Sequence, residues 1–255
     1  MAMNKNVKIN AVENTTKLLE IISREGRIGV SEVAEKADMP NSTAHDYLRS
    51  LDETGYLISN SDGYALSTRL LEHGARRRLD MEIYRTAKPQ IKKLAQETGE
   101  HASLVIEESG MGILLATMMG DDAVEVVTHD GTRTPLHATA PGRTILANLS
   151  PERVEEILER HGLLQVNKNT ITDREELMSE LETVRDQGYA FEKGEIMDGM
   201  RGVGAPIIRR NTEEVLGAVS VYGPTSRTRN KEFQEAVPEL LIQAANVIEL
   251  NMASR

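Results

Sequence analysis

Three short helical patterns in a row, followed directly by a hairpin signal, constrain the fold of this chain most. The first pattern runs from 11 to 24 with apolar residues at helical spacing. The second, EVAEKA, has Ser31 as its predicted N-cap, and the third starts at Asn41 or Ser42. YLIS and YAL are then joined by NSDG, and Asp-Gly between apolar runs indicates a β-hairpin. The order predicts a winged helix-turn-helix.

The third pattern, NSTAHDYLRSL, has one apolar and one polar side on a helical wheel. The turn before it and the hairpin after it favour a helix that reads a DNA groove, although a solvated surface helix would show the same two sides. The candidate DNA contacts are Ser31, Asn41, Ser42, Thr43, His45, Asp46 and Arg49.

The formal net charge of −10 argues against indiscriminate binding to nucleic acid, but it is distributed unevenly. Residues 1–79 hold eleven cationic and eleven acidic side chains, so residues 80–255 carry the whole excess. The N-terminal part also contains consecutive arginines at 76–78, which face either solvent or DNA phosphates. The acidic balance of the chain therefore does not exclude DNA binding.

The length and composition predict a cytoplasmic protein of two domains. There is no apolar run of membrane-spanning length and no signal-peptide pattern at the N-terminus, and 255 residues suffice for two cores. Without any cysteine, the chain has no disulfide, thiolate nucleophile or cysteine-based zinc site. We expect no membrane partner and no cofactor.

The C-terminal part predicts an α+β domain behind a connecting helix. Helical spacing over 68–80 indicates the connector, and SLVIE, GILLAT and VEVVT have the composition of strands. A helix near Pro141, further strands YAF, GVGAPII and LGAVSVY, and a final helix from about Asn230 complete the domain. The predicted domains are 1–67, 68–80 and 81–255.

Several long blocks resemble the IclR family of bacterial and archaeal transcriptional regulators, over nearly the whole chain. The N-terminal blocks are LLEIISREGRIGVSEVAEKADMPNSTAHDYLRSLDETGYL and GYALSTRLLEHG; the C-terminal ones are PLHATAPGRTILANL, VRDQGYAFEKGEIMDGMRGVGAPI and LGAVSVYGPTSR. The resemblance implies a winged helix, a linker helix and a GAF-like effector domain with an antiparallel sheet. It also implies homodimers or homotetramers that bind a palindromic double-stranded DNA operator, more often as repressors than as activators.

The resemblance further implies a small-molecule effector site in the C-terminal domain. Small residues, backbone amides, hydroxyls and one acid would hold a metabolite, which we expect to bear a carboxylate. The implied residues are Thr139, Ala140, Glu192, Gly202, Ser220 and Tyr222. Taken singly, each is also compatible with an ordinary loop or strand role, and Glu195 is an alternative acid.

Two residues of the third helix depart from the family pattern. Asn41 stands where many members have a basic residue, and Asp46 where many have arginine. Asp46 could accept a hydrogen bond from cytosine, hold Arg49 in a guanine-reading conformation, or repel non-specific DNA.

Other function classes find less support. An enzyme with Glu192, His137 and Asp130 as acid-base groups lacks a nucleophile and base at recognisable spacing. The spacing of His101, His129 and His137 matches no compact zinc site. GMRGVG reads G-x-x-G-x-G and precedes a strand, which is unlike a dinucleotide fingerprint. A protein-binding adaptor with a winged helix remains an alternative.

Overall fold

The computed structural model describes residues 8–253, and its contacts divide the chain into two compact units, one up to Asp80 and one from Met81 onward. The first unit has the predicted order of elements. These are α1 (Asn10–Glu25), α2 (Val30–Ala37), α3 (Asn41–Glu53), β1 (Leu57–Asn60), β2 (Gly63–Leu66) and α4 (Arg69–Asp80).

The apolar sides of these short elements meet in one core. Leu18 and Ile22 of α1 pack with Val33 of α2, Leu48 of α3 and Leu57 of β1, and all five are nearly inaccessible to solvent. α2 and α3, of 8 and 13 residues, are too short to be stable alone, so this shared burial stabilises them. The core fixes which side of α3 faces outward.

Both predicted N-caps of the first unit are wrong by one or two positions. Gly29 precedes α2, and Ser31 lies inside its first turn with an exposed side chain. Pro40 precedes α3, so the helix begins at Asn41 and neither Asn41 nor Ser42 is its cap. Proline has a φ near −60° and no amide hydrogen to satisfy, which suits a helix entry.

The hairpin is tighter than its four polar residues suggested. Asn60 pairs with Gly63, so only two residues form the turn. Gly63 has a φ of +121°, and a Cβ there would lie 2.3 Å from the carbonyl oxygen of Ile28. This close approach lets Ile28 exchange two backbone hydrogen bonds with Tyr64 and extend the small sheet.

The second unit is built on a six-stranded antiparallel sheet in the order β5-β4-β3-β8-β7-β6, which confirms the predicted α+β class. The strands are β3 (His101–Glu108), β4 (Met111–Met118), β5 (Arg133–Pro135), β6 (Ala190–Glu192), β7 (Met200–Arg209) and β8 (Glu214–Pro224). The helices are α5 (Glu82–Thr98), α6 (Ala140–Ala147), α7 (Pro151–His161), α8 (Arg174–Gln187), α9 (Thr225–Thr228) and α10 (Lys231–Ala253).

Each face of this sheet is covered by helices. α5 and α10 pack on one face, and α6, α7 and α8 contribute to a separate apolar cluster on the other. Burial on both faces explains why the strands read as nearly continuous apolar runs.

One predicted strand of this unit needs correction. VEVVT is not a strand: residues 123–132 form a loop with a fully exposed Val127, and β5 pairs with β4 instead. Among the helices, Pro89 lies inside α5. Asp173 caps α8, because its carboxylate accepts from the amide of Glu176 at 2.9 Å.

Candidate functional site

The polar side of α3 is open to solvent along its length. Asn41, Ser42, His45, Asp46 and Arg49 are exposed, and Thr43 is half-buried. Ala44 and Leu48, on the opposite side, are fully buried. Five of the seven sequence-predicted DNA contacts are therefore exposed on α3, Thr43 is half-buried on the same helix, and Ser31 lies on α2.

Arg49 pairs with a residue that the sequence reasoning did not consider. Its Nε donates to Oε1 of Glu53 at 2.9 Å, one turn further along α3. This hydrogen bond and the negative charge of Glu53 raise the pKa of the Arg49 guanidinium. Asp46 lies beside His45 instead, with 3.6 Å between Nδ1 and Oδ1. Arg49 is thus held by Glu53 and not by Asp46, which removes one of the roles considered for Asp46.

Arg27 organises the turn of the hairpin. Its Nη1 donates to Oδ1 of Asn60 at 3.0 Å and to the carbonyl oxygen of Gly63 at 2.8 Å. The partners are more than 30 residues away along the chain, so no local pattern indicated this contact. Both acceptors are uncharged, and the exposed guanidinium therefore carries its full positive charge to the tip of the wing.

A cavity of about 220 Å³, here called the sheet cavity, lies in the second unit on the face that carries α6. The structure brings all six residues of the implied effector site to its wall. They are Thr139, Ala140, Glu192, Gly202, Ser220 and Tyr222. They come from four elements, β6, β7, β8 and the start of α6, and are distant in sequence.

The start of α6 is held against the sheet by its cap and by a glycine. Oγ1 of Thr139 accepts from the amide of Gly142 at 3.0 Å. A Cβ at Gly204 would lie 2.7 Å from the nitrogen of Pro141, so only glycine allows this approach. The positive end of the α6 dipole consequently lies at the cavity wall.

Hydroxyl groups supply most of the other polar atoms of the wall. Ser103 and Ser220, opposite each other on β3 and β8, share a hydrogen bond of 2.7 Å between their Oγ atoms. The ring of Tyr222 stacks on His101 with 4.8 Å between centroids, and burial raises the pKa of its hydroxyl. Sequence reasoning missed Ser103, whose role depends on strand register.

Glu192 is the carboxyl group of the cavity. Its Oε1 accepts from the amides of Glu195, at 2.6 Å, and Ile196, at 3.3 Å. Burial, together with the negative charge of Glu195 and its hydrogen bond, raises the pKa of Glu192 to about 7. Near neutral pH this carboxyl group is thus divided between its acid and its carboxylate forms.

Arg143 supports the acidic segment from behind and was also missed. Although fully buried, its guanidinium donates to the carbonyl oxygens of His137, at 3.0 Å, and Phe191. Nη2 also lies 3.3 Å from Oε1 of Glu195. Arg143 therefore fixes Glu195, the alternative acid of the sequence analysis, behind the cavity wall; Glu195 does not line it.

The residues of the enzyme hypothesis do not converge. His137 is buried, and its Nε2 lies 3.1 Å from the carbonyl oxygen of Leu164, outside the cavity wall. Burial, and to a smaller extent the positive charge of Arg143, lowers the pKa of His137. Oδ1 of Asp130 accepts from the amide of Thr117. Only Glu192 of the three lines the cavity.

Searches for a metal site and a membrane span covered the described residues. Within 8–253, no three histidine, aspartate or glutamate side chains lie close enough to hold a metal ion. No helix in the same range is sufficiently long and apolar to cross a bilayer.

Comparisons with known proteins agree over both units. Residues 78–250 match the family model described as bacterial transcriptional regulator IclR, C-terminal, and residues 11–60 match the IclR helix-turn-helix domain. A probable HTH-type transcriptional regulator, ArcR from Halobacterium salinarum, is 35% identical over 249 residues, which cover 96% of this chain and 94% of that protein.

Solved structures lead to the same family. The crystal structure of Thermotoga maritima IclR matches with a TM-score of 0.76 and 29% identity, over 95% of this chain and 98% of that one. An IclR homologue from Microbacterium hydrocarbonoxydans, complexed with 4-hydroxybenzoate, matches with a TM-score of 0.79 and 27% identity, over 96% and 100%. The family consists of regulators, not enzymes. This chain belongs to the IclR family of DNA-binding transcriptional regulators, with a helix-turn-helix and an effector-binding domain.

Proposed function

We propose that this regulator binds a palindromic or near-palindromic operator as a homodimer or homotetramer, more often repressing than activating, in the cytoplasm. A small carboxylate-bearing metabolite in the sheet cavity changes its affinity for that operator. The contacts to DNA come from the polar face of α3, with Arg49 as the principal base-reading side chain.

The reading face supports the DNA part of the proposal. One exposed helix face offers an amide, hydroxyls, an imidazole and a guanidinium, which are the groups that hydrogen-bond to base edges and phosphates. Arg49 must exchange its contact with Glu53 for DNA, so binding replaces one charged hydrogen bond with another. A single winged helix makes few contacts, and two copies on a repeated half-site would sum them.

The composition of the sheet cavity supports the effector part, and it is the observation on which the proposal chiefly rests. Its wall is mainly apolar with convergent hydroxyls, as in small-molecule sites. The IclR homologue from Microbacterium hydrocarbonoxydans was crystallised with 4-hydroxybenzoate, a small carboxylate. We therefore infer a ligand of comparable size with one acidic group.

Among residues 8–253, no lysine or arginine lines the sheet cavity, so a bound carboxylate needs other donors. The start of α6 supplies the positive end of a helix dipole, and Thr139 and Ser220 carry hydroxyls. Protonated Glu192 adds a donor, whereas ionised Glu192 would repel the ligand. We expect affinity to increase as the pH falls through about 7, and Glu192→Gln to bind with little pH dependence.

The coupling between cavity and operator is a population shift. A ligand that binds one conformation of the oligomer better than another changes the fraction able to place two reading helices on adjacent half-sites. The sign of regulation depends on which conformation the ligand prefers.

Operator binding is tested by footprinting on the DNA upstream of the protein's own and neighbouring genes. A protected palindrome is expected, and Arg49→Ala should weaken specific binding by about 1 to 3 kcal/mol. The matched control is Arg160→Ala, an exposed arginine of α7. Retention of DNA that is unaffected by Arg49→Ala would favour the adaptor alternative.

Effector binding is tested by a thermal-shift screen of small carboxylates and sugar acids, followed by operator binding with each hit. A true effector changes the affinity for the operator. Ser220→Ala should weaken binding of that effector, whereas Ser179→Ala, at an exposed position, should not. If no carboxylate stabilises the protein and neutral metabolites do, the proposed ligand class is wrong.

A further inference from the structure

A second cavity, of about 280 Å³, lies at the edge of the same sheet on the face that carries α10. We call it the edge cavity, after the edge strand β6. Phe191, Lys193, Arg201 and Phe233 contribute to its wall. It shares only Glu192 and Gly202 with the sheet cavity, because these two residues pair across β6 and β7 between the two spaces.

Two cationic side chains line the edge cavity. Lys193 follows the last residue of β6, and Arg201 lies on β7 next to Gly202, the residue with which Glu192 pairs. Two like charges beside one cavity repel each other, and an anion bound there would be attracted by both.

Within residues 8–253, neither charge is neutralised by a carboxylate. Neither Lys193 nor Arg201 has an ion-pair partner among the residues that the structure describes, while Arg133, Arg209 and Arg227 of the same unit each contact one. Glu192, the acid nearest in sequence, directs Oε1 to the backbone amides of Glu195 and Ile196. Two cations without an ion-pair partner in the described residues therefore line the same cavity.

Aromatic side chains flank the charges. Phe191 on β6 and Phe233 on α10 are half-buried and pack against the apolar core of this face. They offer apolar surface next to the ammonium and guanidinium groups, which suits a ligand with an apolar body and one acidic head. We propose that the edge cavity is a second ligand site of this regulator, for a small organic anion whose carboxylate or phosphate lies between Lys193 and Arg201.

The connection between β6 and β7 links this site to the sheet cavity. Lys193 lines the edge cavity, while Ile196 and Met197, three and four residues later, line the sheet cavity. An anion that holds Lys193 restricts a segment that forms part of the other wall. Occupation of one cavity thus changes the affinity of the other, and the coupling is reciprocal. This coupling rests on the proposed effector function, whereas anion binding itself does not.

The test uses calorimetric titration of the full chain with three probes, inorganic phosphate, succinate and benzoate, which separate phosphate from carboxylate and aliphatic from aromatic ligands. At least one probe is expected to bind. Lys193→Gln and Arg201→Gln should each weaken that probe by about tenfold or more, the contribution of one charged hydrogen bond. Arg209→Gln, on the same strand but paired with Glu214, is the matched control.

A variant of the other cavity separates the two sites. Ser220→Val replaces a hydroxyl of the sheet cavity and lies outside the edge cavity. Probe binding that persists in Ser220→Val and is lost in Lys193→Gln supports the proposal. It is overturned if no probe binds, if binding survives both cation variants, or if Ser220→Val abolishes it. The exposed Lys193 keeps the test valid even if Arg201→Gln does not fold.

Discussion

Glu192→Gln separates the effect of the Glu192 charge on folding stability from the effect of the size of that side chain. Glutamine keeps the size of the side chain and an oxygen to accept from the amides of Glu195 and Ile196, but it cannot ionise. In the wild-type protein, burial and the charge of Glu195 raise the pKa of Glu192 from 4.5 to about 7. The variant removes that ionisation and leaves the surrounding packing in place.

The sign of the pH dependence follows from the pH at which Glu192 takes up its proton in the folded and in the unfolded state. Between pH 4.5 and about 7, the unfolded chain loses the Glu192 proton while the folded protein retains it, so the free energy of unfolding falls as pH rises. The full change in pKa corresponds to about 3 kcal/mol, most of which falls between pH 5 and 8.5. Above about pH 8 the loss is complete.

The assay is urea unfolding of wild type and Glu192→Gln, without ligand, at several values between pH 5 and 8.5. The difference in stability, variant minus wild type, should increase by about 2 to 3 kcal/mol across this range. Glu239→Gln, an exposed acid on α10, is the matched control and should show a smaller dependence. A difference that does not change with pH, or that decreases as pH rises, would refute the reasoning.

Three further variants test the first unit. Leu48→Ala removes a fully buried side chain from its core and should lower the free energy of unfolding by about 2 to 5 kcal/mol in denaturant titrations. A smaller loss would mean that α3 repacks to fill the space. Gly63→Ala should destabilise the hairpin, because φ is +121° and the new Cβ would meet the carbonyl oxygen of Ile28; unchanged melting would contradict this close approach. Asp46→Arg should strengthen binding to bulk DNA and steepen its salt dependence by about one phosphate contact, as measured by titration at several salt concentrations, and equal slopes would show that Asp46 faces away from DNA.

Local patterns were sufficient for the helix-turn-helix. The apolar period of α3 and the Asp-Gly turn after it predicted which residues are exposed, because a short helix shows its buried side in its own sequence. Helix starts were less reliable: Ser31 has the chemistry of an N-cap, yet Gly29 precedes α2. VEVVT has the composition of a strand, but the edge of β4 pairs with Arg133–Pro135 instead. Strand formation depends on a partner strand, which composition does not reveal.

By itself, the sequence determined the order of elements, the location of the negative charge and, through family resemblance, six residues that lie around one cavity. Only the tertiary structure decided the electrostatics. The raised pKa of Glu192, the buried Arg143 behind Glu195 and the cations Lys193 and Arg201 beside one cavity all arise from groups brought together by the sheet. Burial and distance set the energy of a charge, and both are properties of the folded chain.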